Sequence, residues 1–291
     1  MQARDRDAAI RTIARDGDFD RYVSALFAPG ARREHLFALY ALNVELARIG
    51  EQVSEPQLGE IRLQWWRDAL DSASSGETTG HPVADAVGRA VRECNLSRQS
   101  LAGLIDARHF DVSVKIMPDT AALDRYLANT AGALFKLATE IGMAGGQAEP
   151  RALDEAVRTA DIAYGLTGLM RALPVHLSRG RVDIPEDRLL RHGSSPAQLL
   201  AGEASERLTE LLADLRETAR RALRSARQHV GELPPAARPA FLPLALVDPY
   251  LSALQKVEPL RRVADINPLT RLWRLGTWRS APRRRLLLGG Y

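Results

Sequence analysis

DIAYGLTGLMRALPVHLSRGRVDIP, residues 161–185, is the stretch that decides how this chain is read. It continues a run from residue 152 in which apolar side chains return every three or four positions, through Leu166, Met170 and Leu173. That is the period of a buried helix face. A polar, glycine-containing connector follows over residues 177–183, and Pro185 opens a short helix to Arg191. Pro174 lies inside the periodic part. A proline there removes a backbone donor and clashes with the preceding turn, at about 3 kcal/mol if the helix continues. The helix is therefore expected to kink or end at that point.

Working outward, nearly everything else is helical too. Residues 34–49 carry Phe37, Tyr40 and Val44 at helical spacing, with leucine at many remaining positions. A helix apolar on most of its faces belongs in the middle of a bundle. Ser54 is a plausible cap for a helix over residues 58–70, with Pro56 in its first turn. That helix carries Trp65 and Trp66, adjacent rings that cannot both face inward. Residues 71–80, DSASSGETTG, form the clearest loop. Further helices are expected over residues 82–93, 97–111, 120–141, 196–230 and 240–257, with Gly145–Gly146 ending one of them. Period-two alternation is almost absent. The expected class is all-α: a single-domain helical bundle over residues 1–259 with a basic tail over residues 260–291.

Composition narrows the function classes. At 45% hydrophobic and 26% charged residues, the 291-residue chain has the make-up of a globular protein with a substantial core. Cys94 is the sole cysteine, so no internal disulfide and no cysteine-based metal site can form. Residues 1–22 lack an apolar signal core, and no run approaches 18 apolar residues. A cytoplasmic protein, peripheral at most on the inner membrane, is expected. The sequence holds no nucleophile–base arrangement, glycine-rich phosphate loop or dinucleotide fingerprint. From residue 261 onward, eight arginines (Arg261, Arg262, Arg271, Arg274, Arg279, Arg283, Arg284 and Arg285) stand against Asp265 alone. Interleaved with Leu269, Leu272, Trp273 and Trp278, they suit an anionic membrane surface; the alternative is a solvated charged tail. Nothing else supports nucleic-acid binding.

Five segments together resemble the squalene/phytoene synthase family: ALYALNVELARIGE (residues 38–51), RLQWWRDAL (62–70), YLANTAGALF (126–135), AYGLTGLMRALPVH (163–176) and GRVDIP (180–185). The resemblance implies an all-α isoprenoid synthase fold with a central cavity. It also implies two aspartate-rich helices that hold Mg²⁺ and a prenyl diphosphate, and a short lid at GRVDIP. Aspartates four apart put both carboxylates on one helix face, and Mg²⁺ takes oxygen ligands. Here the first motif falls on Ala47, Arg48 and Glu51, and the second on Ala172 and His176, so most of the expected acids are gone. A fixed cation at Arg48 repels Mg²⁺, and Ala172 offers no ligand atom.

The runs LNVELA (42–47), VSE (53–55) and MRALPVHLSR (170–179) resemble, more narrowly, the branch of the family that assists assembly of respiratory complex I. That resemblance implies a non-catalytic protein without a metal cofactor, with complex I subunits or assembly intermediates as partners and room for an isoprenoid or lipid. The rival expectation is a Mg²⁺-dependent prenyltransferase joining prenyl diphosphates head to head. Candidate pocket residues are Tyr40, Glu45, Glu51, Asn129, Tyr164, Arg171, His176 and Arg181. Arg48 and Glu51 read either as an intrahelical ion pair or, with Glu45, as part of a polar pocket. Arg171 and His176 read as an anion site, or Arg171 as the partner of Glu45 or Glu51.

Overall fold

The computed structural model describes residues 3–53, 55–143, 146 and 148–278. Ser54, Gly145 and the arginines from Arg279 onward lie outside the described residues. The chain runs α1 (Ala3–Gly17), α2 (Phe19–Ala25), α3 (Gly30–Gln52), α4 (Pro56–Ser75), α5 (Pro82–Cys94), α6 (Arg98–Ser113) and α7 (Thr120–Leu127). A wider π-helical turn at Ala128–Gly132 leads into α8 (Ala133–Met143). Then come α9 (Pro150–Ser178), α10 (Glu186–Arg191), α11 (Pro196–Leu200) and α12 (Glu206–Glu232). A 3₁₀ stretch over Arg238–Leu246, α13 (Val247–Leu254) and α14 (Pro268–Trp278) complete it. Among the described residues there is no strand, only an isolated parallel bridge between Ile116 and Val182.

α3 is buried around most of its circumference, from Leu36 through Ile49, and it touches α1, α4, α5, α6 and α8. A helix with so little polar surface can sit only at the centre. α9 buries Ala156, Ala160, Ala163, Leu166, Thr167, Met170 and Leu173 and packs along α12. α12 answers with Leu208, Leu212, Leu215, Ala219, Leu223, Ala226 and Val230, a stripe at the same period.

Several boundaries differ from expectation. α9 runs through Pro174 to Ser178 without ending there: the proline forfeits one amide donor about a turn from the C-terminus, and the burial of Leu173 beside it holds the helix in place. The run over residues 196–230 is two helices: Gly202 adopts a left-handed φ of 72°, and the Ser205 side chain caps α12 by accepting from the Leu208 amide. The run over residues 120–141 is interrupted by the π turn, where Gly132 lies so close to α9 that a Cβ would meet Asp161 Oδ2 at 2.9 Å. Residues 240–257 divide into the 3₁₀ stretch and α13, since Pro239 and Pro243 lack amide donors. Trp66 is buried and Trp65 is 43% exposed, so only one ring faces inward although the two meet edge to face at 5.1 Å.

Candidate functional site

α3, α6, α7, the π turn and α9 surround a cavity of about 240 Å³. Ala47, Gly50 and Glu51 of α3 line one side, and Tyr164, Gly168, Ala172 and His176 of α9 line the other. Leu127, Ala131, Leu134 and Leu169 make part of the wall apolar. At Gly50 α3 lies close against α6: a Cβ there would stand 2.7 Å from the Asp111 carbonyl oxygen. The two diverged motifs therefore do face each other across one chamber.

A polar network of Arg108, Asn43, Asp111, Tyr126, Arg181 and Asp183 lies at the floor. Arg108 donates to Asn43 Oδ1 at 2.7 Å and to Asp111 Oδ2 at 2.9 Å. The Tyr126 hydroxyl donates to Asp111 Oδ1 at 2.9 Å, and Arg181 Nη1 reaches the same oxygen at 3.1 Å. Arg181 also pairs with Asp183 at 2.8 Å, and His176 Nδ1 bonds Asp183 Oδ2. Burial alone would raise the Asp183 carboxyl, but His176 and Arg181 overcome it and hold it below the ordinary carboxylate range. Burial likewise works against the Arg108 cation, and the hydroxyl of Tyr126 with the Asp111 carboxylate outweighs it, leaving that guanidinium more firmly protonated. Two arginines and two aspartates balance within the protein.

The GRVDIP segment is the anchor of this network rather than a free lid. The Met117 amide donates to the Val182 carbonyl and the Val182 amide to the Lys115 carbonyl, both at 2.8 Å, and Glu186 donates to Met117 at 2.9 Å. At the mouth, Glu51 is bound by Arg179 at 2.9 Å. Arg48 turns away from Glu51 and lies 3.7 Å from Glu45, one turn back, so the expected Arg48–Glu51 pair does not form. Arg179 explains this: it draws Glu51 across the cavity mouth.

Arg171 joins neither Glu45 nor Glu51. It faces a second chamber of about 350 Å³. There it stacks on the Tyr250 ring at 3.6 Å, donates to the Ala264 carbonyl at 3.1 Å, and lies 4.0 Å from Asp265. Arg271 enters the same chamber from α14 and pairs with Asp20 at 2.6 Å and Asp265 at 2.9 Å. Within the basic tail, then, Arg271 is buried against the body and unavailable as a solvated charge. Arg21, Tyr164 and Gly168 line both chambers. Arg21 pairs with Asp18 at 2.7 Å and stacks over Tyr164 at 4.5 Å, forming the partition.

Of the candidate residues, Ala47, Glu51, Tyr164, Ala172, His176 and Arg181 line the first chamber. Arg48, Glu45, Tyr40 and Asn129 do not. Tyr40 is buried in the core, where burial raises its hydroxyl pKa. Asn129 is exposed, with its side-chain oxygen towards Gly103 of α6. Sequence reasoning missed Asn43, Arg108, Asp111, Tyr126 and Lys115. The one local signal was Arg108 and Asp111 three apart on a single helix face, a pattern that usually marks a solvated pair. Among the described residues, no group of three or more His, Cys, Asp or Glu side chains is arranged to hold a metal ion. No helix among them is long and apolar enough to cross a membrane.

Comparison with known proteins agrees with this architecture. The family model for squalene/phytoene synthase matches residues 14–274. A bovine protein named NADH dehydrogenase (ubiquinone) complex I, assembly factor 6 is 33% identical over 247 residues, covering 84% of this chain and 73% of that protein. The human protein of that name is 30% identical over the same shares. A phytoene synthase from Thermus thermophilus is 26% identical, covering 94% of this chain and 89% of its own length. Among solved structures, squalene synthase HpnC from Alicyclobacillus acidocaldarius superposes with a TM-score of 0.76 at 20% identity, over 89% of this chain and 96% of that one. A dehydrosqualene synthase bound to a ligand gives 0.78 at 15% identity, over 95% and 96%. By the match over nearly its whole length, its helical architecture and the pair of facing motif helices, the chain belongs to the squalene/phytoene synthase family.

Proposed function

We propose that this chain is a non-catalytic member of the family that assists assembly of respiratory complex I at the membrane. The observation that carries the reading is the likeness, at 30–33% identity over 84% of the chain, to proteins named complex I assembly factor 6. The chemistry of the chamber supports it. A Mg²⁺ cluster on a prenyl diphosphate needs several uncommitted carboxylates. The acids lining the chamber are Glu51 and Asp111, and each is already bound by arginine. Ala47 and Ala172 present methyl groups where the resemblance implies carboxylates. The residues present do not fit the metal cluster. The apolar wall of Leu127, Leu134 and Leu169 suits an isoprenoid or lipid tail held without chemistry. Deleting the gene and resolving respiratory complexes on native gels tests the reading: loss of assembled complex I is expected, and unchanged amounts would sink it.

The second reading, a Mg²⁺-dependent prenyltransferase, draws on the phytoene synthase likeness and on Glu51 persisting at the chamber mouth. Purified protein with farnesyl or geranylgeranyl diphosphate and Mg²⁺ decides it. Turnover that Glu51→Ala abolishes would establish this reading over the first.

A further inference from the structure

We infer that the outward face of α14 is a docking surface for an anionic lipid bilayer. This deepens the reading above by naming the part of the protein that meets the membrane, and it rests on that reading only for its setting. α14 is amphipathic in an unusual sense: one of its two arginines, Arg271, points inward. Arg271 and Leu275 face the body, where Arg271 is fixed by Asp20, Asp265 and Tyr250. Leu269, Leu272 and Trp273 point outward and are 75%, 51% and 61% exposed. At 100° per residue they share one arc with Gly276 and Thr277, and that arc carries no charged side chain. Several large apolar groups at adjacent exposed positions on one short helix mark a contact site rather than scattered surface.

Charge selects lipid as the occupant. Arg274 flanks the arc and stacks over Trp273 at 5.0 Å. The chain entering α14 exposes Arg261, Arg262 and Val263. The local acid Asp265 is engaged by Arg271, and Glu258 by Arg261. A tryptophan and leucines rimmed by cations match the interface of an anionic bilayer, where the rings enter the acyl boundary and guanidinium groups meet headgroup phosphates.

The test is flotation of the full chain with vesicles of phosphatidylcholine alone or of phosphatidylcholine with cardiolipin. Binding to the cardiolipin vesicles, weakened by salt, is expected. Leu272→Gln with Trp273→Gln should lower partitioning at least about tenfold. Arg261→Gln with Arg262→Gln should lower it about fivefold per arginine. Both pairs are exposed, and thermal melts check that the fold survives. Should the apolar double variant fail to fold, quenching of tryptophan fluorescence by brominated lipid, lost in Trp273→Phe, replaces it. The proposal is overturned if the wild type ignores cardiolipin vesicles, if the apolar double variant binds them equally, or if no Trp273-dependent quenching occurs. It is also overturned if light scattering shows a dimer that the apolar double variant splits, because the face then belongs to a second copy. Failure here leaves the complex I phenotype to be judged separately, and normal complex I in the deletion strain leaves vesicle binding intact.

Discussion

Replacing Asp111 with alanine should be among the most damaging single changes near the cavity. Its carboxylate, whose side chain is 3% exposed, accepts from Arg108 at 2.9 Å, from Tyr126 at 2.9 Å and from Arg181 at 3.1 Å. Removing it leaves two buried guanidinium groups sharing too little negative charge. Breaking such a buried pair from one side costs about 3–5 kcal/mol. Set against a typical total stability of about 5–15 kcal/mol, that is a large fraction. Urea unfolding followed by circular dichroism reads it directly: with m near 3 kcal/mol/M, the midpoint should fall by about 1 M or more. The control is Asp106→Ala. Its partner Arg67 sits at an equally good 2.7 Å, but the acid side chain is 61% exposed, so the expected cost is below about 1 kcal/mol. The double variant Arg108→Met with Asp111→Leu, which removes both charges, should lose less than Asp111→Ala alone. If Asp111→Ala is no worse than Asp106→Ala, the account of a self-neutralised network is wrong.

Burial pushes the Asp161 carboxyl up to about 7, so the folded state holds its proton where an unfolded chain has lost it, and stability falls as pH rises from about 4 through 7. Asp161→Asn should therefore stabilise the protein at pH 8, by up to about 4 kcal/mol, and far less at pH 4; denaturant titrations at both values check this. Asp183 has the opposite sign: its depressed carboxyl contributes stability above about pH 4 that is lost as pH falls through the lower folded value, so Asp183→Asn should flatten the acid limb of a stability–pH curve. Trp66→Ala should cost about 3–5 kcal/mol and Trp65→Ala under about 1.5, a difference thermal melts resolve easily. Gly50→Ala should cost about 1–3 kcal/mol by pushing α3 off the Asp111 carbonyl, with a matching fall in urea midpoint.

The core helices were legible because burial imposes a period. Leu166, Met170 and Leu173 announce α9, and the nearly unbroken apolar run of α3 announces its central place. What was lost came from competition between local and distant terms. Gly202 and Ser205 are stop and start signals, but they sat inside a run of excellent helix formers whose propensity outweighed them. Arg48 has Glu45 and Glu51 at equal sequence distance, and only the position of Arg179 across the mouth decides which acid it meets. Asp111 gains its importance from Arg181, seventy residues away, and no spacing rule joins them. Arg271 looked like one cation among eight until Asp20 came to lie beneath it.

The wall between the two chambers is made of side chains. At Gly168 the helix contributes no side chain to it, so the division rests on the Tyr164 ring, braced by Arg21 on one face and by Phe135 at 5.8 Å. What divides the two rooms is therefore that ring together with the guanidinium stacked over it, since Arg21, Tyr164 and Gly168 line both. The usable length of the first room is thus limited by a stack of two side chains rather than by helix backbone. An occupant too long for the first room would have to displace that arginine–tyrosine stack before it reached the second.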